Sequence, residues 1–192
     1  MAGKETKNKK YEIEKIIKRL KGSRFPNVLS NKELLESMEK TKEKQEPIAV
    51  VLTCSDSRVI PEYIFGAKLG ELFVIRTAGN MPDKNSMASI EYALEHLKVK
   101  VIVVLGHTNC GAVKGAIALR QEMKKWQKDS FLPYLLDRIA ENIKEARNVD
   151  EAIYMNAKKI KGILEEKLKK YEVKIVPAIY DIGDGSIKWL DS

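Results

Sequence analysis

Only two cysteines and two histidines occur among 192 residues. Two thiols cannot build the disulfide framework of a small secreted domain. Long apolar runs are missing as well. The longest, such as Ile48 to Leu52 and Val101 to Leu105, fall far short of the roughly 20 residues that a membrane-spanning helix requires. The opening residues MAGKETKNKKYE lack the apolar stretch of about 7 to 15 residues that defines a secretory signal. The expectation is a cytoplasmic chain, without membrane attachment, whose thiols stay reduced.

Charge is abundant but unevenly placed. Lys plus Arg at 35 against Asp plus Glu at 27 gives +8, which at the level of composition suggests a nucleic-acid or anionic-membrane binder. The first 24 residues hold nine basic and three acidic side chains, so this short stretch carries +6 and the remaining 168 residues only +2. No basic stretch is interleaved with aromatics, and the excess reads as the solvated face of a helix. Nucleic acid is therefore not an expected partner.

One core is what this length supports. Residues 1–46 read as a helical arm belonging to the same domain, and residues 47–192 as an α/β core. Residues 1 to 9 look frayed. From Tyr11 to Leu20, Ile13, Ile16, Ile17 and Leu20 fall on one helical face opposite lysines, giving an amphipathic helix. A second helix starts at Ser30-Asn31-Lys32-Glu33, a capping-box pattern, and Pro47 blocks its continuation. Ile48 to Thr53, Leu72 to Ile75, Val101 to Leu105 and Val173 to Ile182 are apolar, β-rich runs of the kind buried on both faces of a sheet. Helical periodicity separates them at Ser86 to Lys98, Cys110 to Trp126, Phe131 to Ala146 and Asp150 to Tyr171, the last with Asp150 as its expected cap. The predicted fold is a mainly parallel sheet of four strands, flanked by helices, with Ile187 to Leu190 as an antiparallel edge strand.

The few cysteines and histidines sit where such a fold does its chemistry. Cys54 follows directly on the first strand in Cys54-Ser55-Asp56-Ser57-Arg58, and His107-Thr108-Asn109-Cys110-Gly111 follows on the third. Both segments lie at carboxyl ends of strands, where open parallel sheets bind ligands. Two thiols and an imidazole form a soft, three-donor zinc set with a fourth position left open. Cys110 opens a helix, whose dipole favours thiolate. The bland alternatives are two coincidental core cysteines and an Asp56–Arg58 turn pair. His96, among charged neighbours, reads as a surface residue.

These segments, together with Arg76-Thr77-Ala78-Gly79-Asn80 and Ala88-Ser89-Ile90-Glu91-Tyr92-Ala93, resemble in order and spacing the β-class carbonic anhydrases. The resemblance runs from about Gln45 to Gly115 and continues more weakly to Tyr180-Asp181. It implies reversible hydration of carbon dioxide to bicarbonate by a zinc-bound hydroxide, with one Zn²⁺ per subunit held by Cys54, His107 and Cys110. It also implies Asp56 and Arg58 as catalytic dyad, and Asp56 as a zinc ligand in a closed state. Gln45, Phe73, Gly79, Tyr92 and Gly111 would line the substrate pocket. A homodimer or dimer-based oligomer would be clasped by the arm, with the Ile13, Ile16, Ile17 and Leu20 face docked on the partner. Thr77 departs from the family's usual Asn. The resemblance leaves room for a carbonyl sulfide or carbon disulfide hydrolase and for a non-catalytic zinc or bicarbonate-binding homologue. Two thiolates and a neutral imidazole cancel the charge of Zn²⁺, so this zinc would be a weaker acid than one held by three histidines. A neighbouring carboxylate such as Asp56 is then needed to orient the nucleophile.

Overall fold

In the computed structural model, which describes residues 2–22, 31–121 and 129–190, the four apolar runs are strands. They are β1 (Ala49–Cys54), β2 (Leu72–Thr77), β3 (Val101–His107) and β4 (Lys174–Tyr180), and a short β5 (Ile187–Trp189) follows. The sheet order is β2-β1-β3-β4-β5, with the first four parallel and β5 antiparallel to β4. That is the predicted mixed sheet. β1 and β3 are neighbours, yet the chain leaves β1 toward one edge and β3 toward the other. Such a divergence opens a crevice at the strands' carboxyl ends.

Seven helices are described: α1 (Ala2–Lys21), α2 (Asn31–Thr41), α3 (Pro61–Phe65), α4 (Lys84–Glu95), α5 (Gly111–Arg120), α6 (Leu132–Asn142) and α7 (Val149–Lys167). The expected cap Ser30, Arg24 and residues 122–128, which include Trp126, lie outside the described residues. α1 begins at Ala2 rather than fraying to residue 9. α3 escaped the periodicity argument because it is barely one turn, opened by Pro61 and closed by Gly66 at φ 54°, a left-handed conformation suited to glycine. The cap of α7 is Asn148, not Asp150, since the Asn148 side chain accepts the Glu151 N–H. A capping oxygen must reach back from outside the helix, and Asp150 is already inside it.

Alternating side chains divide the core in two. Val50, Leu52 and Cys54 of β1 join Ile102 and Val104 of β3 against α4, α5, α6 and α7, whereas Ala49, Val51, Val101, Val103 and Leu105 face the opposite way. This is the period-two geometry of a strand covered on both faces. β2 departs from expectation. Only Ile75 of that strand is buried, because β2 is a sheet edge and has a neighbour on one side alone. Leu20 of α1 is fully buried, and Ile13, Ile16 and Ile17, partly buried, pack against the layer of Ala49, Val51 and Val103. Burying a side chain such as Leu20 contributes on the order of 1.5–3 kcal/mol. Among the described residues no helix is long and apolar enough to cross a membrane.

Candidate metal centre

β1 ends on Cys54 and β3 on His107, so strand pairing sets the first sulfur beside the imidazole. A tight turn then returns the chain. Asn109, at φ 60°, takes the left-handed conformation that asparagine tolerates, and Cys110 occupies the cap position of α5. The donor atoms of Cys54, His107 and Cys110 lie within 4.8 Å of one another, all three residues being buried. The two sulfurs are 4.0 Å apart.

The imidazole tests whether these residues fit a metal. His107 Nδ1 contacts the Thr108 carbonyl at 2.9 Å, which assigns the proton to Nδ1 and leaves the lone pair on Nε2. That Nε2 is buried and has no hydrogen-bond partner. An unsatisfied buried acceptor costs about 1–3 kcal/mol, and a cation shared with the sulfurs removes the cost. The thiols are prepared for it too. Hydrogen bonding with Cys110 is the chief cause that lowers the Cys54 pKa, against the effect of burial. The hydrogen bond to Cys54, together with burial, pushes the Cys110 thiol up. The two sulfurs approach to 4.0 Å, and a cation bound between them would displace the thiol protons. The Gly79 N–H also donates to Cys54 Sγ, at 3.3 Å.

Asp56 and Arg58 stand at the edge of this cluster. Asp56 Oδ1 accepts from the Arg58 backbone N–H at 3.0 Å and from Nε at 2.9 Å, while Oδ2 accepts from a terminal guanidinium nitrogen at 2.7 Å. This two-pronged pairing holds the Asp56 carboxyl well below the usual carboxylate range, the Arg58 hydrogen bond being the largest cause. Oδ2 lies 3.9 Å from His107 Nε2. Arg76 of β2 secures the loop by donating to the backbone carbonyls of Cys54 at 3.2 Å and Asp56 at 2.7 Å.

The other predicted residues are more dispersed. Gly79, at φ 63°, touches the cluster through its N–H. A Cβ on Gly111 would meet nothing within 4 Å, so the space beside Cys110 is open. Phe73 and Tyr92 pack together with ring centroids 6.2 Å apart, and His96, exposed as expected, stacks on Tyr92 at 5.1 Å. Gln45 lies exposed in the connection between α2 and β1, outside the ligand cluster.

A family model described as carbonic anhydrase matches residues 49–187. The chain belongs to the β-class carbonic anhydrases. It is 35% identical over 157 residues to a carbonic anhydrase of Mycolicibacterium smegmatis, covering 75% of each protein. It is 31% identical over 179 residues to a carbonic anhydrase of Helicobacter pylori, covering 81% of each. Among solved structures, a Coccomyxa β-carbonic anhydrase in complex with acetazolamide superposes with a TM-score of 0.69 at 25% identity, covering 81% of this chain and 77% of that one. One of two tetrameric β-carbonic anhydrases from Sordaria macrospora superposes at 0.65 with 27% identity, covering 84% and 88%.

For this carbonic anhydrase the sequence reading missed the supporting residues. Arg76 lay in a recognised segment but had no role assigned. Thr108 ties the loop after β3 to that after β4, donating to Asp181 Oδ1 at 3.3 Å and accepting the Ile182 N–H at 3.1 Å. Asn142 and Asn156 are buried and hydrogen-bonded to each other at 2.9 Å. A signal for Asn156 existed. It falls on the inner stripe of α7 between Ile153 and Ile160, where a polar residue calls for a partner.

Proposed function

We propose that this β-class carbonic anhydrase binds one zinc ion per subunit through Cys54, His107 and Cys110 and catalyses the reversible hydration of carbon dioxide to bicarbonate and a proton. The observation that carries the reading is the unpartnered, buried His107 Nε2 beside two buried sulfurs, the three donor atoms lying within 4.8 Å of one another. Two thiolates and an imidazole suit zinc among the divalent ions. Bound zinc supplies the Lewis acidity that makes water a nucleophile near neutral pH.

The chain's own groups do the rest. Asp56 Oδ2 accepts the hydrogen of the attacking water and so orients its lone pair toward the carbon. Arg58 keeps Asp56 ionised and holds its carboxylate away from the donor set, which supports an accessible fourth position rather than a closed site. Phe73 and Tyr92 form the apolar wall against which carbon dioxide rests, Gln45 donates a hydrogen bond to an oxygen, Gly111 leaves room for the substrate beside the sulfurs, and Gly79 borders that space through the N–H it donates to Cys54. A reducing compartment, the cytoplasm, keeps both thiols available. We further assign residues 1–46 as an arm and 47–192 as the catalytic core of a homodimer or dimer-based oligomer. The exposed Leu34, Leu35 and Met38 of α2 and the tetrameric relatives support self-association.

Zinc analysis of the purified protein, paired with stopped-flow carbon dioxide hydration, tests the proposal. One zinc per chain with hydration above the buffer rate supports it, and Cys54→Ser loses the metal and the activity together. Full zinc occupancy with only the buffer rate overturns the catalytic reading.

A further inference from the structure

Two amides are buried in the helical layer that covers the cysteine face of the sheet. Asn142 ends α6 at 8% exposure, and Asn156 lies within α7 at 2%. An apolar side chain of similar volume would avoid the cost of burying polar atoms there. The amides are instead aligned as donors in one direction. Asn142 Nδ2 donates to Asn156 Oδ1 at 2.9 Å, and Asn156 Nδ2 donates to the Gly79 carbonyl at 3.0 Å. Gly79 in turn donates its N–H to Cys54 Sγ at 3.3 Å.

Gly79 cannot hold this posture with a side chain. A Cβ at its position would sit 2.6 Å from Ile139 Cδ1 of α6 and 3.2 Å from Ala112 Cβ of α5. Glycine's own backbone is the least restricted of all residues, so the orientation of its N–H must come from outside. Asn156 is what grips it. The gripped carbonyl and the N–H belong to different peptide groups, which makes the influence mechanical: anchoring one plane narrows the range of torsions through which the other can turn.

We propose that Asn156, braced by Asn142, is a positioning residue that clamps the Gly79 turn so that its N–H stays on the Cys54 sulfur and draws charge from that donor in the metal-loaded protein. The inference rests on the zinc reading above. Groups that hydrogen-bond a metal ligand commonly change metal affinity about 10–100-fold when removed, and this clamp acts one residue farther out.

The test uses full-length protein loaded with cobalt, cadmium-113 or zinc. In the wild type, a sulfur-to-cobalt charge-transfer band and a scalar coupling between cadmium-113 and the Gly79 amide proton report the N–H···S contact. Asn156→Leu is expected to move the band to lower energy, because an undonated sulfur gives up its electron more easily. It should also abolish the coupling and weaken zinc binding about 10-fold, the lower end of the range for groups bonded to a ligand directly, in chelator competition. Asn142→Leu removes only the brace, shifts the same observables less, and serves if Asn156→Leu does not fold. Ile160→Val trims the same stripe of α7 without touching Gly79 and is expected to leave band and coupling unchanged. Wild-type band and coupling in Asn156→Leu overturn the clamp while leaving the zinc site intact, as does an equal shift in Ile160→Val. A wild type that takes up neither cobalt nor zinc overturns the metal site first and the clamp with it.

Discussion

At the scale of single residues, the division of labour between ligands and dyad is separable. Asp56 is no ligand in the arrangement described, since both its oxygens are taken by Arg58. Asp56→Asn should therefore keep its zinc while hydration falls about 10²-fold or more, the usual range for removing a group that positions a proton or a developing charge. Arg58→Ala should behave likewise, with metal analysis and stopped-flow rates read on the same preparation. An active Asp56→Asn would remove the carboxylate from the reaction. The donor set and the dyad were legible in the sequence because their spacing is local. Cys54, Asp56 and Arg58 share one loop, and His107 and Cys110 share one turn. Asn156 was not legible in the same way. Its role exists only because α7 crosses over the Gly79 turn, a contact 77 residues distant in sequence.

At the scale of elements, helix starts carry testable energy. α4 begins at Asp83, whose side chain accepts from the Ser86 N–H and from its hydroxyl, each at 2.7 Å. These bonds, the backbone one foremost, hold the Asp83 carboxyl below its ordinary range. A carboxylate with a lowered folded-state pKa stabilises above its unfolded value of about 3.9 and loses that contribution as pH falls through the lowered value. Asp83→Ala is accordingly expected to cost about 1 kcal/mol at neutral pH. The difference from wild type should shrink progressively below about pH 4, as measured by denaturant unfolding at several pH values. Helix and strand identities followed from periodicity, but caps and edges did not. Asn148 displaced Asp150 as a cap, and β2 proved half-exposed, because an apolar run does not reveal whether its strand has one neighbour or two.

For the whole molecule, the two arm helices have different jobs. α1 buries Leu20 completely against the sheet, whereas α2 leaves Leu34, Leu35 and Met38 40%, 64% and 50% exposed. Leu20→Ala should cost about 2–5 kcal/mol of stability and leave the association state unchanged at temperatures where the chain stays folded. Leu35→Glu should do the reverse, lowering the sedimenting mass toward that of one chain of 21.8 kDa with little change in unfolding. An unaltered assembly in Leu35→Glu would remove α2 from the subunit contact. The apolar face of α1 was visible in the sequence, but not what it covers. Amphipathicity states that a helix docks and leaves the acceptor unnamed. Opposite that apolar face, Lys15, Lys18 and Lys21 of the same helix are exposed, solvated over an apolar inner side.

The half-covered edge strand has a bearing on how the protein is made. β2 offers Leu72-Phe73-Val74-Ile75 along a rim whose outer backbone groups, among the described residues, have no strand beside them. Such a rim pairs readily with whatever strand it meets. The period of greatest danger is then the interval before folding is complete, when edges of different chains can pair. Rapid expression at high level should favour aggregates over active enzyme, and slower synthesis should rescue yield. Light scattering during refolding across a range of chain concentrations would reveal it: the more crowded the chains, the more they tangle.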